Sequence, residues 1–210
     1  FIHAKTVCSR GDYKLYFSMH TDKPFQLKEK ESELPCLDFG NETKEVEVRI
    51  ALSALGENEA RQEYAQWNNK SFAQLKKASY KEWEDKLASI NVKGGTEDDK
   101  FIFYTSLYRA CLSPVDVTST DGRYLGTDGK IYQADGFRYY SNWSLWDTFR
   151  TKFPLLVLLE PAKMRDMATS LLHLYRTGKK DWATPYESTT TVRTEHAVIL
   201  LLDAYRKGIT

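Results

Sequence analysis

The sequence has almost no net charge and no long apolar run. Its 210 residues include 30 Lys and Arg against 29 Asp and Glu, which gives a formal net charge of +1 at pH 7. Because there is no basic excess, neither nucleic acid nor an anionic membrane is expected as a partner. The longest apolar run, residues 153–159, is too short to span a bilayer. The composition is otherwise that of an ordinary globular protein.

Cysteine is also scarce, and several common functional motifs are missing. The three cysteines are Cys8, Cys36 and Cys111, an odd number without the spacing of a metal site. Free or buried thiols are expected, and a Cys8–Cys36 disulfide is the alternative. The sequence contains no Gly-rich phosphate loop, no G-x-S-x-G and no H-E-x-x-H motif. It therefore shows no familiar nucleotide, serine-hydrolase or zinc-protease signature.

Two N-terminal segments, residues 13–19 (YKLYFSM) and 44–52 (KEVEVRIAL), alternate apolar and polar residues as strands do. In the second segment Val48 and Ile50 are predicted to face the core, whereas Arg49 is predicted to face water. One dry and one wet face is typical of an antiparallel sheet or sandwich. Because two or three strands do not make a stable sandwich, we expect its other strands to precede residue 1.

The periodicity becomes helical after the second strand. Residues 57–67 carry acids in their first turn, and residues 71–90 form an amphipathic pattern that Ser71 can cap. Gly94 and Gly95 then interrupt the chain. This stretch is predicted to be a helical linker between a β domain and a helical domain.

Further helices are predicted beyond the linker. Thr96 is the expected cap of residues 97–112, and Pro161 opens the helix of residues 161–178. Residues 195–208 are apolar on nearly every side, so this helix is predicted to be buried all round.

A long connection rich in Gly and Asp, residues 116–137, separates two of these helices, and long loops inside domains tend to be functional. Its TDGRYLGTDGK stretch resembles a calcium loop only superficially, because it lacks the terminal Glu and the D-x-D-x-D rhythm. Tight turns are therefore the favoured interpretation. His196, beside Glu195, could orient another group, but a core or boundary histidine with satisfied hydrogen bonds is the favoured interpretation.

The most unusual stretch is NWSLWDTFRTKFPLLVLLEP, which begins at residue 142. Asp147 and Arg150 are three residues apart and hence neighbours on a helix, with Trp143, Trp146 and Phe149 around them. One of two interpretations is a purely structural ion pair, although a buried pair is costly to form and often no more stabilising than hydrophobic residues. The other is sugar binding, in which the charged groups hydrogen-bond hydroxyls and an indole covers the C–H face of the ring.

These residues carry a family resemblance. The run GGTEDDKFIFYTSLYRACLSPVDVTSTDGRYLG, the run YYSNWSLWDTFRTKFPLLVLLEP and the later EHAVILLLDAYRKGI resemble glycoside hydrolase family 92, the calcium-dependent exo-α-mannosidases. The resemblance implies an α+β fold class: the remnant of an antiparallel β-sandwich in residues 1–56, a helical linker in 57–95, and the first part of an (α/α)6 barrel in 96–210. The sequence departs from the family pattern at TTTVRTEH, so the family resemblance does not fix which glycosidic linkage or substrate the enzyme prefers.

The resemblance also implies a chemistry. The family uses an inverting mechanism, with one carboxylic acid and one carboxylate base on opposite sides of the sugar. Both groups and the main calcium ligands match positions beyond residue 210, so no catalytic or metal-binding residue is expected here. The chain alone is expected to be inactive. The implied substrate-binding residues are Trp143, Trp146, Asp147 and Arg150.

The expected function follows from the parent family. The parent is expected to be an exo-α-mannosidase that acts on α-1,2-type linkages in N-glycans or mannans, with calcium as cofactor. Another (α/α)6 glycosidase and a non-catalytic carbohydrate-binding or structural fragment are the alternatives. The resemblance implies a secreted, periplasmic or outer-surface location. Because the apolar helices of an incomplete barrel would be exposed, the fragment is expected to self-associate.

Overall fold

The structure is a computed structural model that describes residues 3–8, 11–28, 36–177 and 195–209. Its first elements are β1 His3–Cys8, β2 Gly11–Thr21, β3 Gln26–Lys28, β4 Cys36–Asp38, β5 Val48–Ser53, α1 Glu57–Trp67 and α2 Phe72–Leu87. The later elements are α3 Glu97–Cys111, β6 Val115–Asp116, β7 Arg123–Leu125, β8 Ile131–Gln133, β9 Tyr140–Ser141, α4 Leu145–Thr148, α5 Lys152–Leu159, α6 Pro161–Arg176 and α7 Glu195–Arg206. None of these helices is long and apolar enough to cross a membrane.

The N-terminal part is an antiparallel sheet in which β2 lies between β1 and β5. The register places Phe17 opposite Leu52 and Met19 opposite Ile50, so apolar side chains share one face. Helix α1 packs on the other face. There the ring of His20 stacks on Tyr64 at a centroid distance of 3.9 Å. The predicted antiparallel arrangement is therefore present.

The structure corrects the orientation predicted for β5. Val48, Ile50 and Leu52 are 46%, 58% and 54% exposed. Arg49, which was predicted to face water, is half-buried and donates a hydrogen bond to the carbonyl oxygen of Asn68 at 2.9 Å. The reason is that α1 covers the mixed polar face, while the apolar side of β5 stays open to solvent.

The predicted helix caps are confirmed. The Ser71 hydroxyl accepts a hydrogen bond from the Gln74 backbone N–H at 3.3 Å, and the Gln74 side chain accepts one from the Ser71 N–H at 2.8 Å. The same reciprocal box joins Thr96 and Asp99 at the start of α3. Helix α6 begins at Pro161, as predicted. Each box satisfies backbone donors that the first turn leaves without an intrahelical partner.

The main core lies between α5, α6 and α7, which contact one another pairwise. Its buried members include Phe153, Leu156, Met164 and Leu200, all at most 3% exposed. The prediction that the last helix is buried on all sides is wrong for the described residues. Exposed apolar side chains on α7 are Val198 at 66%, Ile199 at 48%, Leu202 at 47% and Tyr205 at 68%. Packing covers the side of α7 that faces α4, α5 and α6.

The predicted α+β fold class is confirmed, with short antiparallel strand pairs beside helices. The helices of the described residues do not close a barrel. The limits at residues 56 and 95 stay a prediction, although α1 and α2 do fall between them. Among the described residues Cys111 has a free, half-buried thiol whose pKa is raised by burial. The side chain of Cys8 lies outside the described residues, so the disulfide alternative stays open.

Candidate functional site

The head of α4 is formed by a sharp change of chain direction after β9. Tyr140 and Ser141 are buried at the end of β9, and Asn142 then adopts a left-handed backbone conformation with φ of 64°. Asn tolerates this conformation better than most residues. Leu145, which is fully buried, anchors the short helix that follows. With Leu145 inside, the following two side chains lie on the outer side of α4.

Trp143 lies in the core rather than at the surface. Its side chain is 2% exposed, and its ring centroid is 5.9 Å from that of Phe153. Its indole N–H has no hydrogen-bond partner within the described part of the chain. A sugar could not reach this ring in the arrangement seen here. The structure therefore gives Trp143 a packing position and does not support its predicted role as a substrate-binding residue.

Trp146 is the indole that reaches the surface, with 50% of its side chain exposed. The ring of His196, at the start of α7, meets it at a centroid distance of 5.5 Å and an interplanar angle of 77°. His196 also packs against Phe149, with 4.2 Å between centroids. Because the edge-to-face contact occupies only part of the indole, Trp146 presents a partly open aromatic surface.

Asp147 and Arg150 are both exposed, and the ion pairs found among the described residues do not include one between them. The interpretation of a buried pair is therefore wrong. The Arg150 guanidinium lies instead 5.1 Å from the centroid of the Phe149 ring, within the range of a cation–π contact. Solvent reaches both charged groups. A carboxylate, a guanidinium and a partly open indole thus lie exposed within residues 146–150, in α4 and the turn that follows it.

His196 is a member of this site that sequence reasoning did not favour. A core or boundary histidine was the favoured interpretation over an orienting role, and the residue is half-buried. Its ring contacts with Trp146 and Phe149 join two elements that are far apart in sequence. No local motif indicates such a contact. The signal in the sequence was the position of His196 at the start of the run EHAVILLLDAYRKGI, which resembles the corresponding helix of the family.

The Gly- and Asp-rich connection folds into tight turns, as predicted. Strands β7 and β8 pair as a hairpin. The carboxylate of Asp121 accepts hydrogen bonds from Arg123, and these hold the pKa of Asp121 below its usual value. The carboxylate of Asp128 accepts one from the Tyr132 hydroxyl at 2.8 Å. In the described part of the chain, no group of three or more His, Cys, Asp or Glu could hold a metal ion.

Helix α1 holds this connection in place. The Oε1 atom of Glu63 accepts hydrogen bonds from the Ser119 hydroxyl at 2.8 Å and from both the N–H and the hydroxyl of Thr120 at 2.8 and 2.9 Å. One turn earlier on the same helix, Glu59 accepts one from Arg123 at 3.0 Å. These contacts tie the helix that covers the sheet to the chain that leads towards α4.

A second polar cluster joins α2 to the junction of α5 and α6. Lys86 and Lys163 both form ion pairs with Oε2 of Glu160, and the Lys163 distance is 3.5 Å. Burial, together with the neighbouring Lys86, lowers the pKa of Lys163. This cluster could not be predicted from the sequence, because Lys86 lies on a different element from Glu160 and Lys163. The two lysine side chains around the Glu160 carboxylate thus link α2 to the junction of α5 and α6.

Comparison with known proteins places this fold. The family model of the glycosyl hydrolase family 92 catalytic domain matches residues 57–210. A family GH92 α-mannosidase from Bacteroides thetaiotaomicron has a similar structure, with a TM-score of 0.85 and 25% identity over 96% of this chain and 31% of that chain. The GH92 family glycosyl hydrolase ccman5 gives a TM-score of 0.84 and 27% identity over 99% of this chain and 30% of that chain.

A GH92 inverting mannosidase from Bacteroides thetaiotaomicron VPI-5482 shares the fold, with a TM-score of 0.74 and 22% identity over 94% of this chain and 30% of that chain. The comparison with curated proteins found no match. The chain thus spans about a third of the length of the solved structures that it resembles. Because the family model covers most of the sequence, the chain belongs to glycosyl hydrolase family 92.

Proposed function

We propose that this chain forms part of an inverting exo-α-mannosidase and that the head of α4 binds a mannose unit. The observation that carries the proposal is the exposure of Trp146, Asp147 and Arg150 within five consecutive residues of a glycosyl hydrolase family 92 domain. The solved relative described as an α-mannosidase supports this substrate class. The chain spans only part of those relatives, so the proposal concerns the longer enzyme in which it would act.

The proposed binding mode follows from the chemistry of the three side chains. The open part of the Trp146 indole would cover the C–H face of a pyranose ring. The Asp147 carboxylate would accept hydrogen bonds from two neighbouring hydroxyls, and the Arg150 guanidinium would donate to hydroxyl oxygens. Both charged groups are exposed and form no ion pair with each other in the part of the chain that the structure describes, so they could contact a ligand.

The remaining parts of the proposal rest on the family resemblance. The general acid, the general base and the calcium ligands would lie outside these 210 residues, and calcium would bind the sugar hydroxyls. The substrate would be an α-1,2-linked mannose of an N-glycan or a mannan, and the enzyme would act outside the cytoplasm. A non-catalytic carbohydrate-binding role is the alternative that an inactive longer protein would favour.

The test is Asp147→Ala in the longer enzyme. Removing a charged hydrogen-bonding partner costs about 1.5–3 kcal/mol, which corresponds to roughly a tenfold to hundredfold loss of kcat/KM on an α-mannoside. The melting temperature should stay unchanged because Asp147 is exposed. The matched control is Asp135→Ala, which alters an exposed Asp in the turn after β8 and should leave both quantities unchanged.

Two results would contradict the proposal. Unchanged kinetics with a large drop in melting temperature would make Asp147 a structural residue. Calcium-dependent release of mannose by residues 1–210 alone would mean that the catalytic carboxylates have been assigned to the wrong part of the enzyme.

A further inference from the structure

Three rings from two different helical regions meet at the head of α4. The His196 ring lies 4.2 Å from Phe149 with an interplanar angle of 46°, and it meets Trp146 at 5.5 Å with an angle of 77°. The two partners come from the α4 turn, whereas His196 comes from α7. The contact between α4 and α7 therefore includes a ring that touches the exposed indole directly.

Helix α4 alone is a poor support for an oriented indole. It has four residues and no side-chain cap, and its one fully buried side chain is Leu145. A half-exposed Trp on such a turn would be free to change rotamer, and ordering it on binding would reduce affinity. A ring supplied by a longer, packed helix removes part of that freedom. Side chains held by such neighbours give a binding site its geometry before the ligand arrives.

We propose that His196 is a positioning residue for Trp146. It fixes the indole by an edge-to-face contact, and the part of the indole that it leaves open receives a neutral six-membered sugar ring. This inference rests on the proposed function, because it takes the α4 head as the sugar site. His196 itself need not touch the sugar, and its effect on the ligand passes through Trp146.

The experiment measures the Kd of methyl α-D-mannoside by calorimetry on the longer enzyme and on four variants. These are Trp146→Ala, His196→Ala, His196→Phe and the double variant Trp146→Ala/His196→Ala. Loss of one aromatic contact should weaken binding by roughly threefold to tenfold in His196→Ala. His196→Phe should bind within about twofold of the wild type, because the ring restores the contact. In the Trp146→Ala background, His196→Ala should cause no further loss.

The outcomes separate the inference from the proposed function. If Trp146→Ala leaves the Kd unchanged, the α4 head is not the sugar site and the proposed function fails. If Trp146→Ala weakens binding but His196→Ala does not, only the positioning role fails. The positioning role is likewise overturned if His196→Phe binds as poorly as His196→Ala, or if the two alanine effects add. Should His196→Ala unfold, His196→Phe together with Trp146→Ala still tests both statements.

Discussion

The clamp between α1 and the Gly-rich connection predicts a measurable loss of stability on changing Glu63. A single carboxylate oxygen accepts three hydrogen bonds from Ser119 and Thr120, at distances of 2.8 to 2.9 Å. Replacing Glu63 by Ala removes the acceptor. The donor groups of Ser119 and Thr120 can then hydrogen-bond only to water at the positions that solvent reaches.

The magnitude follows from the number and exposure of the bonds. A hydrogen bond to a charged group contributes about 1.5–3 kcal/mol, but the three bonds here share one oxygen, and Thr120 is exposed. We therefore expect the free energy of unfolding to fall by about 2 kcal/mol in Glu63→Ala. For a chain of this size, that corresponds to a melting temperature lower by about 4–8 °C. Glu63→Gln keeps one oxygen acceptor without the charge and should lose roughly half as much.

Thermal and urea unfolding followed by near-ultraviolet circular dichroism measure this loss. Glu84→Ala is the matched control, because it removes an exposed Glu from the neighbouring helix α2 and should change stability by less than about 0.5 kcal/mol. The reasoning is refuted if Glu63→Ala and Glu84→Ala unfold at the same urea concentration. Equal losses in Glu63→Gln and Glu63→Ala would show that charge, and not the oxygen acceptor, carries the clamp.

Two further predictions concern pH and association. Hydrogen bonds from the Thr96 N–H and hydroxyl lower the pKa of Asp99, so this stabilisation is present above the usual Asp pKa of about 4 and is lost as pH falls below that value through the lowered pKa. The melting temperature of Asp99→Asn should therefore depend less on pH in that window, and parallel profiles would contradict the assignment. The exposed apolar side chains of β5 and α7 should make the 210-residue chain self-associate, and a compact monomer at micromolar concentration in sedimentation would rule this out.

Features decided by a few neighbouring residues could be predicted from the sequence. Ser71 and Thr96 cap their helices because each is followed three residues later by a side chain that can hydrogen-bond back to the cap. Pro161 opens α6 because its fixed φ suits a first turn and the missing N–H is not needed there. The tight turns around Asp121 and Asp128 follow from the same local chemistry.

Features decided by tertiary packing could not be predicted. Alternation identified β5 as a strand, but it could not indicate that α1 would cover the face of Arg49 and leave Ile50 open. The same limit applies to the candidate site. From the sequence, Trp143 and Trp146 are equally good candidates for contact with a sugar. The left-handed turn at Asn142 and the buried side chain of Leu145 place the first indole in the core and the second at the surface.

The β part and the candidate site are physically connected. Helix α1 packs on the sheet through Tyr64 and holds the Gly-rich connection through Glu63. That connection continues through β8 to β9, whose position is fixed by the hydrogen bond from the Tyr140 N–H to the buried Ser170 hydroxyl at 2.8 Å. Directly after β9, the turn at Asn142 sets which indole reaches the surface. The region predicted as a linker therefore has a second role, because its side chains help to hold the polypeptide that presents Trp146.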